Sequence, residues 1–145
     1  MLPDELLDVA EKCDCEQIDN FFDRPGMVEP PYVYGFLAGD KENSAVFWCK
    51  KKKEKRKYLL VLVSRRTFRE PWKFELITET RNFPGGLSIV SNLSIPLHEF
   101  RYVNDVKTRG PKGVMTSDAV ISSYYDGLMT LFYNHNGEWL LRMYD

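Results

Sequence analysis

The spacing of hydrophobic and polar positions changes near residue 30, and this change divides the chain into two kinds of predicted element. Before it, apolar residues recur at helical spacing and acidic residues stand at the positive end of the helix dipole, which predicts a helix over residues 3–13. A second, shorter helix is predicted to follow. Asp14 and Gln17 have the spacing of a capping box, and Pro25-Gly26 would end the helix.

Beyond residue 31 the apolar positions follow a period of two, which is typical of strands. Residues 44–49 and 58–63 are predicted to form two strands joined by the charged segment 50–57, and the second of them is apolar on both faces, so it should lie near the centre of a sheet. Trp72, Phe74 and Leu76 alternate with charged residues, a pattern that predicts a strand with one solvent-facing side. Further short strands are predicted at residues 87–90, 100–103, 128–133 and 139–144. A late helix is predicted over residues 116–124, with Thr116 or Ser117 as its cap.

The pair Asn136-Gly137 is the clearest local signal in the chain. Both residues tolerate the positive φ angles that a two-residue hairpin turn requires. This turn predicts a register in which His135 lies opposite Glu138 and Leu131 lies opposite Arg142.

Together these elements predict one α+β domain over residues 1–145, with a helical segment at 1–24 and a mainly β part at 31–145. One or two N-terminal helices would pack on a mostly antiparallel sheet of about six to eight short strands. A length of 145 residues suits one domain. No apolar run reaches the roughly 18 residues that a membrane span needs, so no membrane partner is expected.

The three cysteines predict free thiols. Their number is odd and the chain is large enough to fold on its core, so a disulfide framework is not expected and a cytoplasmic location is favoured. Cys13 and Cys15 could supply half of a metal site, but no second pair of ligands stands at close spacing. We therefore expect neither a metal nor another cofactor.

Charge is distributed unevenly along the chain. Residues 1–30 carry nine acidic and two basic residues, a net charge of −7, whereas residues 50–81 carry twelve basic and four acidic residues, a net charge of +8. The acidic and basic parts either face one another or face different partners.

The basic segment offers one candidate function, nucleic-acid binding through residues 50–72. Lysines could contact phosphates while aromatic residues stack on bases, and Arg65, Arg66 and Arg69 extend the positive charge. The candidate residues are Lys51, Lys53, Lys55, Arg56, Lys57, Phe68 and Trp72. The simpler interpretation is a solvated hairpin tip that protects the sheet from edge pairing, and we favour it because the whole chain is slightly acidic.

Two other sets of residues are candidates for function. Cys49 or His98 could serve an enzyme of unknown type, and strand alternation would place His98 on one face with Phe100, and Arg101 on the other. Tyrosines beyond the needs of the core are typical of interfaces, although packing in the core or at its rim is the default interpretation. The aromatic candidates are Tyr32, Tyr34, Phe36, Tyr124, Tyr125 and Tyr133. No specific catalytic motif is present, so we expect a small non-enzymatic module that recognises a protein partner, resembling immunity or adaptor proteins in charge and size only.

Overall fold

The computed structural model describes residues 3–16, 32–35, 43–54, 57–81, 86–91, 94–123 and 129–144, and every structural statement below concerns these residues. They contain one α-helix, α1 (Asp4–Lys12), and a 3-10 helix at Leu97–Glu99. The first five strands are β1 (Cys15–Glu16), β2 (Tyr32–Gly35), β3 (Asn43–Lys51), β4 (Tyr58–Arg65) and β5 (Lys73–Thr80). The other six are β6 (Leu87–Val90), β7 (Arg101–Tyr102), β8 (Asp105–Arg109), β9 (Ala119–Ser123), β10 (Met129–His135) and β11 (Glu138–Tyr144).

These strands form two antiparallel sheets. The first sheet has the order β1-β3-β4-β5, and β2 pairs with the same side of β3 as β1 does. The second sheet has the order β6-β9-β10-β11-β7-β8. Each sheet is built around a hairpin, β3–β4 in the first and β10–β11 in the second.

The two sheets pack face to face around a shared core. Trp48, Leu60 and Leu62 from the first sheet meet Phe132 and Trp139 from the second. An additional link crosses the interface, because the indole Nε1 of Trp139 donates a hydrogen bond of 3.1 Å to Glu75 Oε1. The arrangement is a β-sandwich, in which burial of apolar side chains between the sheets is the main stabilising contribution.

The helix α1 covers the outer face of the first sheet. Its buried residues Leu6 and Ala10 contact a cluster that contains Phe47, Val61 and Val63. The outer face of the second sheet is covered by the chain around the 3-10 helix, where Leu97 and Phe100 are buried. The described molecule therefore has a helix, two sheets and a covering loop in successive layers.

This architecture corrects the predicted fold class. The α+β prediction of helices packed on a single sheet is wrong, since the described residues contain a two-sheet sandwich with one α-helix. The predicted helix over 116–124 is also wrong, because residues 119–123 form β9 in the second sheet. Ala119 and Val120 are neighbours on opposite faces of β9 and both are fully buried, and a strand with both faces covered gives no period of two to distinguish it from a helix.

The predicted helices have different outcomes at the N-terminus. α1 confirms the helix expected over residues 3–13. The second helix is wrong at its start, where Cys15 and Glu16 form β1 opposite Lys51 and Lys50. The rest of that predicted helix lies outside the described residues.

Most of the predicted strands are confirmed. The β10–β11 hairpin has the predicted register, with His135 opposite Glu138 and Leu131 opposite Arg142, and Asn136 and Gly137 have φ angles of 52° and 88°. The alternation predicted around His98 is wrong, because His98 lies in the 3-10 helix and is exposed while Phe100 is fully buried.

The buried residue of β5 is not one of those that the alternating pattern predicted. Phe74 and Leu76 are 47% and 46% exposed, and Ile77 is the buried residue. The register shifts at this point, since Leu60 lies opposite Thr78 and Val61 lies opposite Leu76, which leaves Ile77 as the extra residue of a β-bulge. The bulge turns Ile77 into the core between the sheets.

Candidate functional site

A cavity of about 410 Å³ opens at the end of the first sheet where β3 begins and β4 ends. We call it the aromatic cleft, and five of its lining residues define it: Glu5, Tyr34, Arg65, Phe68 and Trp72. They come from α1, β2, the last residue of β4 and the connection 66–72 that leads into β5. Residues far apart in the sequence meet here because α1 begins, and β2 and β4 end, at the same end of the first sheet.

The connection 66–72 folds around the side chain of Arg65. The guanidinium carbon lies 4.0 Å from the centre of the Trp72 ring and 5.0 Å from the centre of the Phe68 ring. Both distances allow cation–π attraction. The loop is held by its own backbone, since the amide of Glu70 donates to the carbonyl of Thr67 at 3.2 Å. The guanidinium of Arg65 therefore holds the rings of Phe68 and Trp72 in position.

Glu5 on α1 fixes the polar side of the aromatic cleft. Its Oε2 lies 2.8 Å from Arg65 Nη2, and its Oε1 accepts a hydrogen bond of 2.7 Å from the hydroxyl of Tyr34. Burial, and then the hydrogen bond and negative charge of Glu5, raise the pKa of Tyr34 above its ordinary value. The phenol therefore keeps its proton to a higher pH than an ordinary tyrosine does and remains a donor to the carboxylate.

The charges in the aromatic cleft are paired, whereas its aromatic surface is not covered. The Arg65 side chain is only 12% exposed and is occupied by Glu5. By contrast, Phe68 is 79% exposed and Tyr34 is 44% exposed. An ion-paired floor with exposed aromatic rings suits the binding of an apolar or aromatic group better than acid–base chemistry.

The structure separates the two halves of the predicted nucleic-acid site. Lys51 and Lys57 lie at the tip of the β3–β4 hairpin, while Phe68 and Trp72 lie beyond the opposite end of β4. The eight residues of β4 span about 26 Å at the rise of an extended strand. The structure thus brings Phe68 and Trp72 together but keeps them away from the basic tip.

Several lysines at the tip have partners within the molecule. Lys51 Nζ donates to the carbonyl of Cys13 at 2.8 Å, and Lys50 Nζ lies 3.4 Å from a carboxylate oxygen of Glu16. Lys57 Nζ lies 3.2 Å from Glu54 and 3.6 Å from Glu79. Lys53 is exposed, whereas Lys55 and Arg56 lie outside the described residues. Part of the acidic N-terminal segment therefore faces the basic strands rather than a separate partner.

The cysteines correct the prediction of three free thiols. Cys15 on β1 and Cys49 on β3 form a disulfide, and Cys13 is the free cysteine of the described residues. The pairing became visible only through the fold, because β1 runs beside the end of β3 and places residues 34 positions apart in contact. Cys49 is fully buried and bonded, which leaves no thiol for a nucleophile. The free-thiol argument for a cytoplasmic location is lost as well.

The remaining predicted site residues do not join the aromatic cleft. His98 is exposed in the 3-10 helix, and Arg101 lies on β7 of the second sheet, opposite Leu141 and Arg109. Tyr124 and Tyr125 lie outside the described residues. Sequence reasoning placed Arg65 in the basic segment and Tyr34 among the interface tyrosines, but it did not select Glu5. No local pattern marks Glu5, because its role depends on where α1 packs.

A second groove of about 360 Å³ runs between β5 and the β7–β8 and β11 strands. Three carboxylates lie along it, from Glu75, Asp105 and Glu138. Glu75 accepts from Trp139, and Asp105 accepts hydrogen bonds from the amide of Lys107 and the hydroxyl of Thr108. Across the part of the chain that the structure describes, no cluster of three or more His, Cys, Asp or Glu side chains could hold a metal ion.

Comparison with known proteins identifies no relative of this chain. No family model matches the chain, and neither a curated protein nor a solved structure is significantly similar to it. Within the described residues, the helices are too short and too polar for any of them to cross a membrane.

Proposed function

We propose that this protein is a small non-enzymatic interaction module and that the aromatic cleft is the surface with which it recognises a protein partner. The observation that carries the proposal is the exposure of Phe68, 79%, above an arginine that is already held by Glu5 and Trp72. Phe68 is not isolated, because exposed Tyr34 and partly buried Trp72 line the same cleft, and a group of exposed aromatic side chains in one place is typical of a protein interaction site.

The composition of the aromatic cleft supports this function. Tyrosine, tryptophan and arginine dominate the residues that carry most of the binding energy in protein interfaces, and all three are present here. Because Glu5 and Trp72 already order Arg65, little side-chain entropy would be lost when a partner binds. The acidic N-terminal segment is partly engaged with the first sheet through Glu5 and Glu16, which favours the aromatic cleft as the binding surface.

The test compares two substitutions of exposed apolar residues. Phe68→Ala should weaken binding of a captured partner protein by at least tenfold, which is about 1.4 kcal/mol of binding free energy. Truncation of a hot-spot residue commonly costs about 2 kcal/mol or more of that free energy. Met143→Ala is the matched control, because Met143 is 65% exposed on the second sheet and away from the aromatic cleft. Equal affinities for wild type and Phe68→Ala, measured by titration calorimetry with the purified partner, would refute the proposal.

Nucleic-acid binding through residues 50–72 is the alternative, and the exposure of Lys52 and Lys53 at the hairpin tip favours it. A short single strand should then bind with an affinity that falls steeply with salt, and Lys52→Ser with Lys53→Ser should flatten that dependence. Lys107→Ser with Lys112→Ser provides a control of equal charge on exposed lysines elsewhere. On the protein-recognition proposal, binding is weak and disappears near 0.15 M salt, where the Debye length is about 8 Å.

A further inference from the structure

β5 forms one edge of the first sheet. β5 pairs with β4 on one side, and no described strand pairs with its other side. Lys73, Phe74, Glu75 and Leu76 are all exposed, four residues in succession. Edge strands usually avoid large exposed apolar side chains because their free amides and carbonyls invite pairing with another chain.

The two faces of this edge differ in chemistry. Phe74 and Leu76 lie opposite Val63 and Val61 of β4, so they belong to the face that α1 covers further along the sheet. α1 leaves them 47% and 46% exposed. Lys73 and Glu75 alternate with them and therefore point to the other face. The edge thus carries an apolar stripe on one side and a cation and an anion on the other.

We propose that β5 pairs with β5 of a second copy of this chain, antiparallel and centred on Phe74. In this register Phe74 of each copy lies opposite Phe74 of the other. Lys73 lies opposite Glu75 of the second copy, and symmetry produces this oppositely charged pair twice. The apolar side continues outward, since Trp72 lies opposite Leu76 in both directions. The sequence of the edge is therefore complementary to itself.

The bulge at Ile77 favours the register centred on Phe74 over one centred on Leu76. A pairing centred on Leu76 would place Lys73 opposite Glu79 and would also match opposite charges. It would have to cross Ile77, where β5 departs from regular pairing with β4. Residues 72–76 precede the bulge, and the pairing centred on Phe74 uses only them. A contact this short belongs with small, transient interfaces, so the dimer should be weak.

The proposed pairing shares Trp72 with the aromatic cleft, but Lys73 and Glu75 lie outside the cleft, so a test at these two residues can fail while the proposed function stands. Sedimentation equilibrium of the full chain, up to a concentration of roughly 1 mM, should show the mean mass rising from 17.0 kDa toward twice that value. Lys73→Glu or Glu75→Lys alone should weaken dimerisation by roughly tenfold, because each places like charges opposite one another twice. The double variant Lys73→Glu/Glu75→Lys should restore it.

The controls separate this register from a general charge effect. Lys107→Glu reverses the charge of an exposed lysine on β8 and should leave the mass distribution unchanged. A wild-type mass that stays at 17.0 kDa throughout the series, or a double variant no better than the single ones, would overturn the proposal.

Cysteine cross-linking reports the register directly. In a Cys13→Ser background, Phe74→Cys should form a disulfide-linked dimer on mild oxidation, because residues directly opposite have Cα atoms about 4.5–5.5 Å apart. Leu76→Cys is the matched control, with nearly equal exposure on the same face. Its two copies would lie about 13 Å apart along the strands, beyond the reach of a disulfide. Equal rates of cross-linking at the two positions would rule out the register.

Discussion

Glu5 occupies a central place at the scale of single residues. One of its oxygens accepts from the Tyr34 hydroxyl and the other pairs with Arg65, so a single carboxylate orders both sides of the aromatic cleft. Removing it would leave the guanidinium only partly exposed and without that carboxylate, an arrangement that costs more than an exposed ion pair contributes. The shape of the aromatic cleft thus depends on a helix residue whose side chain reaches both Tyr34 and Arg65.

The raised pKa of Tyr34 leads to a prediction about pH. Because the folded state holds the phenol proton more tightly than the unfolded chain does, the associated stability is complete below the unfolded pKa of about 10 and is lost as pH rises beyond it. The free energy of unfolding in urea should therefore fall more between about pH 9 and about pH 11 for wild type than for Tyr34→Phe. Glu5→Gln should give an intermediate slope, and identical slopes for wild type and Tyr34→Phe would contradict this account.

Gly137 provides a second test at the residue scale. Its φ of +88° is strained for any residue with a branched side chain, although a Cβ there would meet no atom within 4 Å. Gly137→Val should lower the free energy of unfolding by about 1 kcal/mol or more through backbone strain alone. Gly137→Asn should cost less, because asparagine tolerates positive φ. A neutral valine variant in urea unfolding would show that the turn adopts another conformation.

At the scale of elements, hairpins were predictable and long-range pairings were not. Asn136-Gly137 specifies both the turn and its register, so the β10–β11 hairpin follows from residues 128–144 alone. The partnership of β1 with β3 depends instead on where α1 and the end of the β3–β4 hairpin meet in space. Of the residues in the aromatic cleft, Phe68 and Trp72 were predicted from the sequence as binding residues. Their distance from the lysines was not predicted, because it depends on β4 running from the hairpin tip to the cleft.

The disulfide between β1 and β3 yields a prediction at this scale. When the chain is unfolded without reductant, a thiol reagent should detect one cysteine, Cys13, and after reduction it should detect three. Cys15→Ala/Cys49→Ala should lower the free energy of unfolding by about 2–4 kcal/mol, mainly by releasing a constraint on the unfolded chain. Cys13→Ala serves as the control. Three reactive thiols before reduction would show that the bond is absent.

The whole molecule differs from its predicted class for a physical reason. Period-two alternation reveals which residues share a face of a strand, but it does not reveal how strands are divided between sheets. Leu60 and Phe132 look alike in sequence, as apolar residues of apolar strands, yet they belong to opposite sheets and meet in the core between them. The number of sheets is therefore a property of tertiary packing.

Layering predicts how stability is distributed through the molecule. β4 is buried from Tyr58 to Ser64 and has a partner on each side, whereas β8 is exposed along its whole length at the end of the second sheet. Native-state hydrogen exchange followed by NMR should find amides of β4 among the slowest and those of β8 exchanging by orders of magnitude faster. Similar protection in the two strands would contradict the assigned sheet order.

The position of β11 also determines when the fold can be completed during synthesis. β11 lies between β10 and β7, so among the described strands the β7–β8 hairpin at residues 101–109 pairs with the rest of its sheet through β11. A nascent chain that has not yet released β11 from the ribosome holds the second sheet in two disconnected pieces and lacks Trp139 from the core. The core between the sheets is then incomplete, and the sandwich is completed only once residues 138–144 have left the ribosome.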